Sequence, residues 1–251
     1  MANLRELTDY LDKELKIAEI PDYPGAMNGL QIENEGDVSK VAVAVDASLP
    51  VFEKAMAEGA DLLLVHHGMF WHGAQPVTGA LYQKLKSAFE GGMALYSAHI
   101  PLDVHPQWGN NIQLATKLGM HECEPFFDWK GIKLGLSQEL NLGRDALQAQ
   151  LAEVVGGPVH ICPGGKDRVG KVGIITGGAG SEVAAMAECG IQTFITGEGP
   201  HWSYPLAEEL GINVLYAGHY ATETFGVRAL AAELERKFGL TGVFIDHPSG
   251  L

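Results

Sequence analysis

The sequence predicts an α/β protein built from two similar halves. Three observations predict it. Short apolar segments of strand length alternate with amphipathic helical ones, the pattern of layered sheets with largely parallel pairing. Lys40-Val41-Ala42-Val43 reappears as Lys171-Val172-Gly173-Ile174, and on that alignment Gly59 falls on Gly190, His66-His67 on Gly197-Glu198 and Trp71 on Trp202. Farther on, Ser97-Ala98-His99 meets Ala217-Gly218-His219, which brings Asp103 onto Glu223.

Taken in order, Leu4, Leu7, Leu11 and Leu15 recur at helical spacing and predict a helix over about 3–17. A turn-rich stretch, 20–31, holds Pro21, Pro24 and Gly25. In the first copy, 41–46, 61–66 and 93–98 read as strands, and 50–58, 82–90 and 111–118 as helices. In the second, 171–176, 193–196 and 213–216 are strands, 182–188 and 204–210 helices, and 223–238 a last long helix ahead of 242–246. The stretch between has segments at 132–137, 146–155 and 158–162. The expected organisation is therefore a first half 1–130, an inter-repeat segment 131–168 and a second half 169–251, intertwined as one structural unit.

A 251-residue chain with 46% apolar and 19% charged residues can bury a sizeable core. No apolar run reaches the roughly 18–20 residues that cross a bilayer, and the first residues lack an apolar secretory segment. A soluble, cytoplasmic protein is expected. The formal net charge of −14, without a basic cluster, argues against duplex nucleic acid as a partner, because cationic side chains supply most of that affinity. Three cysteines without C-x-x-C spacing argue against a disulfide framework or a cysteine zinc site.

Ligands of such sheets bind outside the carboxyl ends of the strands. His66-His67 and Gly197-Glu198 close equivalent strands, and His99 and His219 each follow a third strand. Each has a structural explanation in isolation. One His of a pair can be a core residue, since neighbours on a strand face opposite ways; Asp103 can brace a turn; Glu223 can complement a helix dipole. Pro101 makes His99-x-x-x-Asp103 a loop spacing, and Gly68 allows the backbone to turn after the pair. Together they point to a metal site. Nitrogen and oxygen donors without sulfur fit zinc, manganese or iron, and their number suits two metals bridged by a carboxylate and a water.

Val65-His66-His67-Gly68-Met69-Phe70-Trp71, Ser97-Ala98-His99-Ile100-Pro101-Leu102-Asp103, Ile195-Thr196-Gly197-Glu198 and Gly218-His219-Tyr220-Ala221-Thr222-Glu223 resemble the signature segments of the dinuclear-metal-centre proteins related to the yeast Ngg-interacting factor three, whose bacterial members are called GTP cyclohydrolase I type 2 homologues. Asn28-Gly29-Leu30-Gln31 resembles the N-terminal motif of that family, and the likeness runs over about 4–247. The resemblance implies two α/β halves around a dimetal cleft, a toroidal homohexamer, and His66, His67, Asp103, His219 and Glu223 as ligands of two divalent ions, with Glu223 as the bridge. Many members have Pro where this chain has Gly68, and the middle segment lacks room for the inserted domain of longer members.

Paired metals activate water and polarise a carbonyl, imine or phosphoryl oxygen, so hydrolysis of a small nucleotide or N-heterocycle is the expected reaction class. Ring opening of the cyclohydrolase type is what the family label implies. Glu198 and His99 are the candidate catalytic groups, as proton shuttles; Glu198 can equally brace a ligand histidine. Trp71, Trp202, Tyr220 and His201 can stack on a flat substrate or simply pack. The alternatives are a nucleotide phosphoesterase, opposed by the absence of Lys or Arg in the motifs, and a non-catalytic metal-binding scaffold.

Overall fold

The computed structural model describes all residues, Met1–Leu251. Its first elements are β1 (Ala2–Asn3), α1 (Leu4–Glu14), β2 (Gly29–Ile32), β3 (Asp37–Val38), β4 (Lys40–Asp46), α2 (Leu49–Ala57), β5 (Leu62–His67), α3 (Gly79–Gly91), β6 (Ala94–Ser97) and α4 (Ile100–Asp103). Then come α5 (Asn110–Lys117), β7 (Glu124–Trp129), β8 (Ile132–Gly143), α6 (Arg144–Val155), β9 (His160–Pro163) and β10 (Arg168–Ile174). After a 3-10 turn at Ala179–Glu182 follow α7 (Val183–Glu188), β11 (Thr193–Thr196), α8 (Ser203–Leu210), β12 (Asn213–Tyr216), α9 (His219–Phe238) and β13 (Thr241–Phe244).

The chain divides into two compact units, Met1–Trp108 with Gly226–His247, and Gly109–Phe225 with Pro248–Leu251. The sheet of the first runs β13-β4-β5-β6-β2. Strands β13, β4, β5 and β6 are parallel, and β2 closes the edge antiparallel to β6. Buried on both faces, the inner strands are apolar throughout rather than alternating. Val41, Val43, Leu62, Leu64 and Tyr96 share one core cluster with Leu4, Leu7 and Leu11 of α1 and Val227, Leu230 and Leu234 of α9. Ala42, Ala44, Leu63, Val65 and Leu95 share the other with Val51, Phe52 and Ala55 of α2. The side-chain period of two divides each strand between the layers.

The second unit repeats the scheme. Parallel β10, β11 and β12 form the centre, with β9 antiparallel beyond β12 as β2 is beyond β6. On the far flank the halves differ: β10 takes antiparallel β8, and β7 pairs with β8, where β4 takes parallel β13. Val172, Ile174, Ile195 and Leu215 pack with Leu114 and Ala115 of α5 and Leu147 and Leu151 of α6. Two similar α/β halves are thus present.

Other expectations need correction. Helix α1 ends at Glu14, not residue 17, because Lys16 takes a left-handed φ of 53° that an α-helix cannot continue; Asn3 caps its start, its side-chain oxygen accepting from the Arg5 and Glu6 amides. The units are not cut at 130 and 168. Strand β8 runs twelve residues to Gly143 and bonds β10, which draws the expected inter-repeat segment into the second sheet. The later part of α9 and β13 return to the first. Polar Gln138, Glu139 and Asn141 on β8 hide its length, because its burial alternates there. Pro101 does not exclude a helix: it sits in the first turn of α4, where its missing amide is no loss.

Candidate metal centre

In the first unit His66 and His67 end β5, and His99 stands just after β6. Neighbours on a regular strand face opposite ways, yet the His66 and His67 ring centres lie 4.7 Å apart, with His99 5.0 Å and 5.4 Å away. One ring nitrogen from each of these histidines falls within 4.8 Å of the others, a group that could hold a metal ion. His66 is buried, and its Nε2 is 3.5 Å from Oδ1 of buried Asp103. Two donors on one tetrahedral ion stand roughly 3.4 Å apart, given ligand bonds near 2.1 Å.

The other ring nitrogens are anchored. His66 Nδ1 is 2.9 Å from the Ala98 carbonyl, His67 Nδ1 is 2.8 Å from Asp46 Oδ1, and His99 Nδ1 is 2.8 Å from Asp22 Oδ1. An Nδ1–H donating to these acceptors leaves the lone pair of a neutral imidazole on Nε2. Anchoring of this kind orients ligand histidines and raises their basicity.

Asp46 ends β4 opposite His67 in register, whereas Asp22 comes from the irregular segment after α1. Burial alone would raise the Asp22 carboxyl, but hydrogen bonds from His99, Asn28 and the Tyr23 amide, with the His99 charge, hold it below its ordinary value. Asn28 also accepts from the His99 amide at 2.8 Å, and Gln31 accepts from the Met69 amide at 2.9 Å. The Asn28–Gln31 motif therefore braces the loops that carry the histidines. Gly68 serves close approach rather than an unusual turn, for a Cβ there would lie 2.7 Å from Ser97 Oγ.

In the second unit α9 starts at His219, ahead of the expected 223. Thr222 does not cap it. Its hydroxyl donates back to the Gly218 carbonyl at 2.9 Å and accepts from the Gly177 amide at 3.0 Å. His219 and Glu223 consequently sit one turn apart on one face, with Nε2 and Oε2 at 3.2 Å, and Nδ1 of His219 lies 2.9 Å from Glu198 Oε1. Burial works against the charged imidazole, but the Glu223 and Glu198 carboxylates together outweigh it and lift the His219 pKa to about 9. Gly177, at φ 70°, and Gly197 let the backbone crowd this pair: a Cβ on Gly177 would strike the Glu223 carboxylate, and one on Gly197 would lie 2.6 Å from the His219 Cα.

Every candidate ligand or catalytic residue thus falls in one of two polar clusters, His66, His67, His99 and Asp103 in one unit, His219, Glu223 and Glu198 in the other. His99 stands beside His66 and His67 as a further possible donor, and Glu198 lies within hydrogen-bond distance of His219, where the sequence reading also allowed a brace. Asp22, Asp46 and Gly177 were missed, and Asn28 and Gln31 were noted only as a motif, without their bracing contacts. Asp46 carried a signal, ending a strand beside the one that ends in His67; Asp22, in a turn without periodicity, carried none. Of the aromatics, Trp71 lies edge-on to His99 at 5.1 Å and donates to the Gly68 carbonyl, a packing role.

The class defined by fold and site is an α/β protein with anchored histidines and buried carboxylates near its strand ends. The model of the Duf34/NIF3 (NGG1p interacting factor 3) family matches residues 2–249, and the chain belongs to that family. A GTP cyclohydrolase 1 type 2 homolog of Deinococcus radiodurans is 40% identical, covering 98% of this chain and 94% of the relative. One of Pyrococcus abyssi is 42% identical, covering 98% of each. The crystal structure of TTHA1606 from Thermus thermophilus superposes with a TM-score of 0.87 at 41% identity, over 99% of this chain and 100% of that one. Reduced HcgD from Methanocaldococcus jannaschii gives 0.87 at 27% identity, over 98% of each chain.

Proposed function

We propose that the protein is a metal-dependent hydrolase of a small nucleotide or N-heterocycle, holding two divalent ions (zinc, manganese or iron) on His66, His67, Asp103, His219 and Glu223. The observation that carries the reading is the shared anchoring of the histidines: His66, His67 and His99 each commit Nδ1 to a carbonyl or carboxylate, which leaves Nε2 for a ligand, and His219 commits Nδ1 to Glu198 with Nε2 beside Glu223. The donor set fits such ions, being nitrogen and carboxylate oxygen without sulfur. When bound, paired divalent ions supply Lewis acidity for a carbonyl, imine or phosphoryl oxygen and a lowered pKa for water.

The chain's own groups do the rest. Asp46, Asp22 and Glu198 hold the imidazoles in position. Glu198 and His99 are the proposed catalytic groups. Glu198 keeps 43% of its side chain exposed while bonding His219, so it can take a proton from the reacting water and pass it to a leaving nitrogen. His99, backed by Asp22, is the second proton carrier. The relatives' name makes cyclic C–N ring opening the favoured reaction, in a cytoplasmic homohexamer.

The test is to incubate the metal-loaded protein with purine nucleoside triphosphates and with a panel of nucleotide phosphoesters. Loss of the purine absorbance band, abolished by chelation and by Asp103→Asn, is expected. Phosphate release instead would support the phosphoesterase. Turnover of neither, by a protein that retains its metals, would make it a metal-binding scaffold.

A further inference from the structure

Within the second unit a cavity of about 560 Å³ opens against Glu198. His160 on β9 and Tyr216 on β12 stand directly opposite in register and share one face of the sheet. Their rings are 6.2 Å apart and 30° from parallel, and Tyr204 of α8 approaches His160 to 5.8 Å. Tyr216 is fixed by its hydroxyl. Ser203 gives its single proton to the Pro200 carbonyl at 2.7 Å, so the Tyr216 hydroxyl donates to Ser203 Oγ, also at 2.7 Å. The rings are too close to admit a ligand between them, and therefore form a continuous wall. No Lys or Arg lines the cavity, so it holds no permanent side-chain cation for a phosphate. The one acidic side chain is Glu198, an acceptor when ionised, and Leu251 also borders the cavity.

We infer that this cavity is a binding subsite for a planar nitrogen heterocycle, which stacks on the His160, Tyr204 and Tyr216 wall and donates an edge N–H to Glu198. Base–aromatic stacking accepts any π-face, whereas a carboxylate selects for donors, so the wall supplies affinity and Glu198 the choice among heterocycles. The inference rests on the hydrolase reading only in making the bound ring a substrate; the subsite itself needs no metal.

The experiment uses the chelated full chain and 2-aminopurine riboside, whose fluorescence falls on stacking and whose exocyclic amine offers a donor. Saturable quenching is expected, weakened roughly ten-fold or more in Tyr204→Leu. If Tyr204→Leu does not fold, His160→Ala, on the exposed edge strand, takes its place. Purine riboside, which lacks the amine, is expected to bind more weakly, and Glu198→Gln to erase that difference. No saturable quenching, or equal affinity in the wall variants, overturns the subsite; a preference that survives Glu198→Gln overturns the role of Glu198. Elemental analysis of the same preparations before chelation keeps the two readings apart. Probe binding by a protein that takes up no metal would leave the subsite standing without the hydrolase, and metal uptake without probe binding the reverse.

Discussion

At the scale of single residues, an imidazole becomes a better ligand when something holds its other nitrogen. Asp46 does this for His67 and Asp22 for His99, each at 2.8 Å. Removing such a partner typically weakens metal binding by about 10–100-fold. Asp46→Ala is therefore expected to lower affinity in that range, measured by competition with a coloured chelator, with circular dichroism unchanged. Unaltered affinity would show that Asp46 only packs. His219 extends the argument. Two carboxylates stabilise its proton, and a metal would have to displace that proton. The ligand-type residues were legible in the sequence because the repeat places them at matching strand ends. Their partners were less so: Asp22 acts through a turn that brings it from the far side of Asn28, and nothing local in the chain reports that fold-back.

The elements show how local geometry serves the site. Helix α9 begins at His219, with Thr222 back-bonding instead of capping, and the four-residue spacing puts Glu223 over His219. Reading the helix from residue 223 missed this. Gly177 fills the adjoining space. Gly177→Ala would place a Cβ at φ 70° against Glu223, and should cost about 1 kcal/mol or more of stability together with the Glu223 ligand position. Thermal unfolding and metal content, both lowered, would agree; a variant normal in both would contradict the close approach.

A second junction lies at the start of β5. Asp61 Oδ2 accepts from the Ser39 amide and hydroxyl and from the Lys40 amide, fastening the entry to β4. Burial pushes its carboxyl up, but these hydrogen bonds prevail and lower it. A lowered folded pKa means stability that is full above the unfolded value, about 3.9, and lost as pH falls through the folded one. The stability gap between the protein and Asp61→Ala should be wide at neutral pH and shrink in strong acid, as read by denaturant unfolding. A gap that does not change with pH would sink this account.

For the whole molecule, the duplication explains what the sequence disclosed and what it hid. Three parallel strands per half were readable because buried parallel strands are apolar throughout, as in Leu62–Val65. The flanks were not. Strand β8 looks like a surface segment, and β13 joins β4 from the other end of the chain. No helix is long and apolar enough to cross a membrane. If metal binds the folded chain and not the unfolded one, chelation must lower the unfolding temperature by mass action. A melting curve indifferent to chelator and to added zinc, manganese or iron would argue that the clusters bind nothing.

The central claim is that the chain carries a pair of divalent ions on its histidines and carboxylates. Elemental analysis of metal per chain, on the protein and on Glu223→Ala, tests it most directly. The account predicts about two ions per chain, the number a bridged pair requires, falling sharply in a variant that remains folded. A well-folded protein with no metal, even after incubation with zinc, manganese and iron, would contradict it.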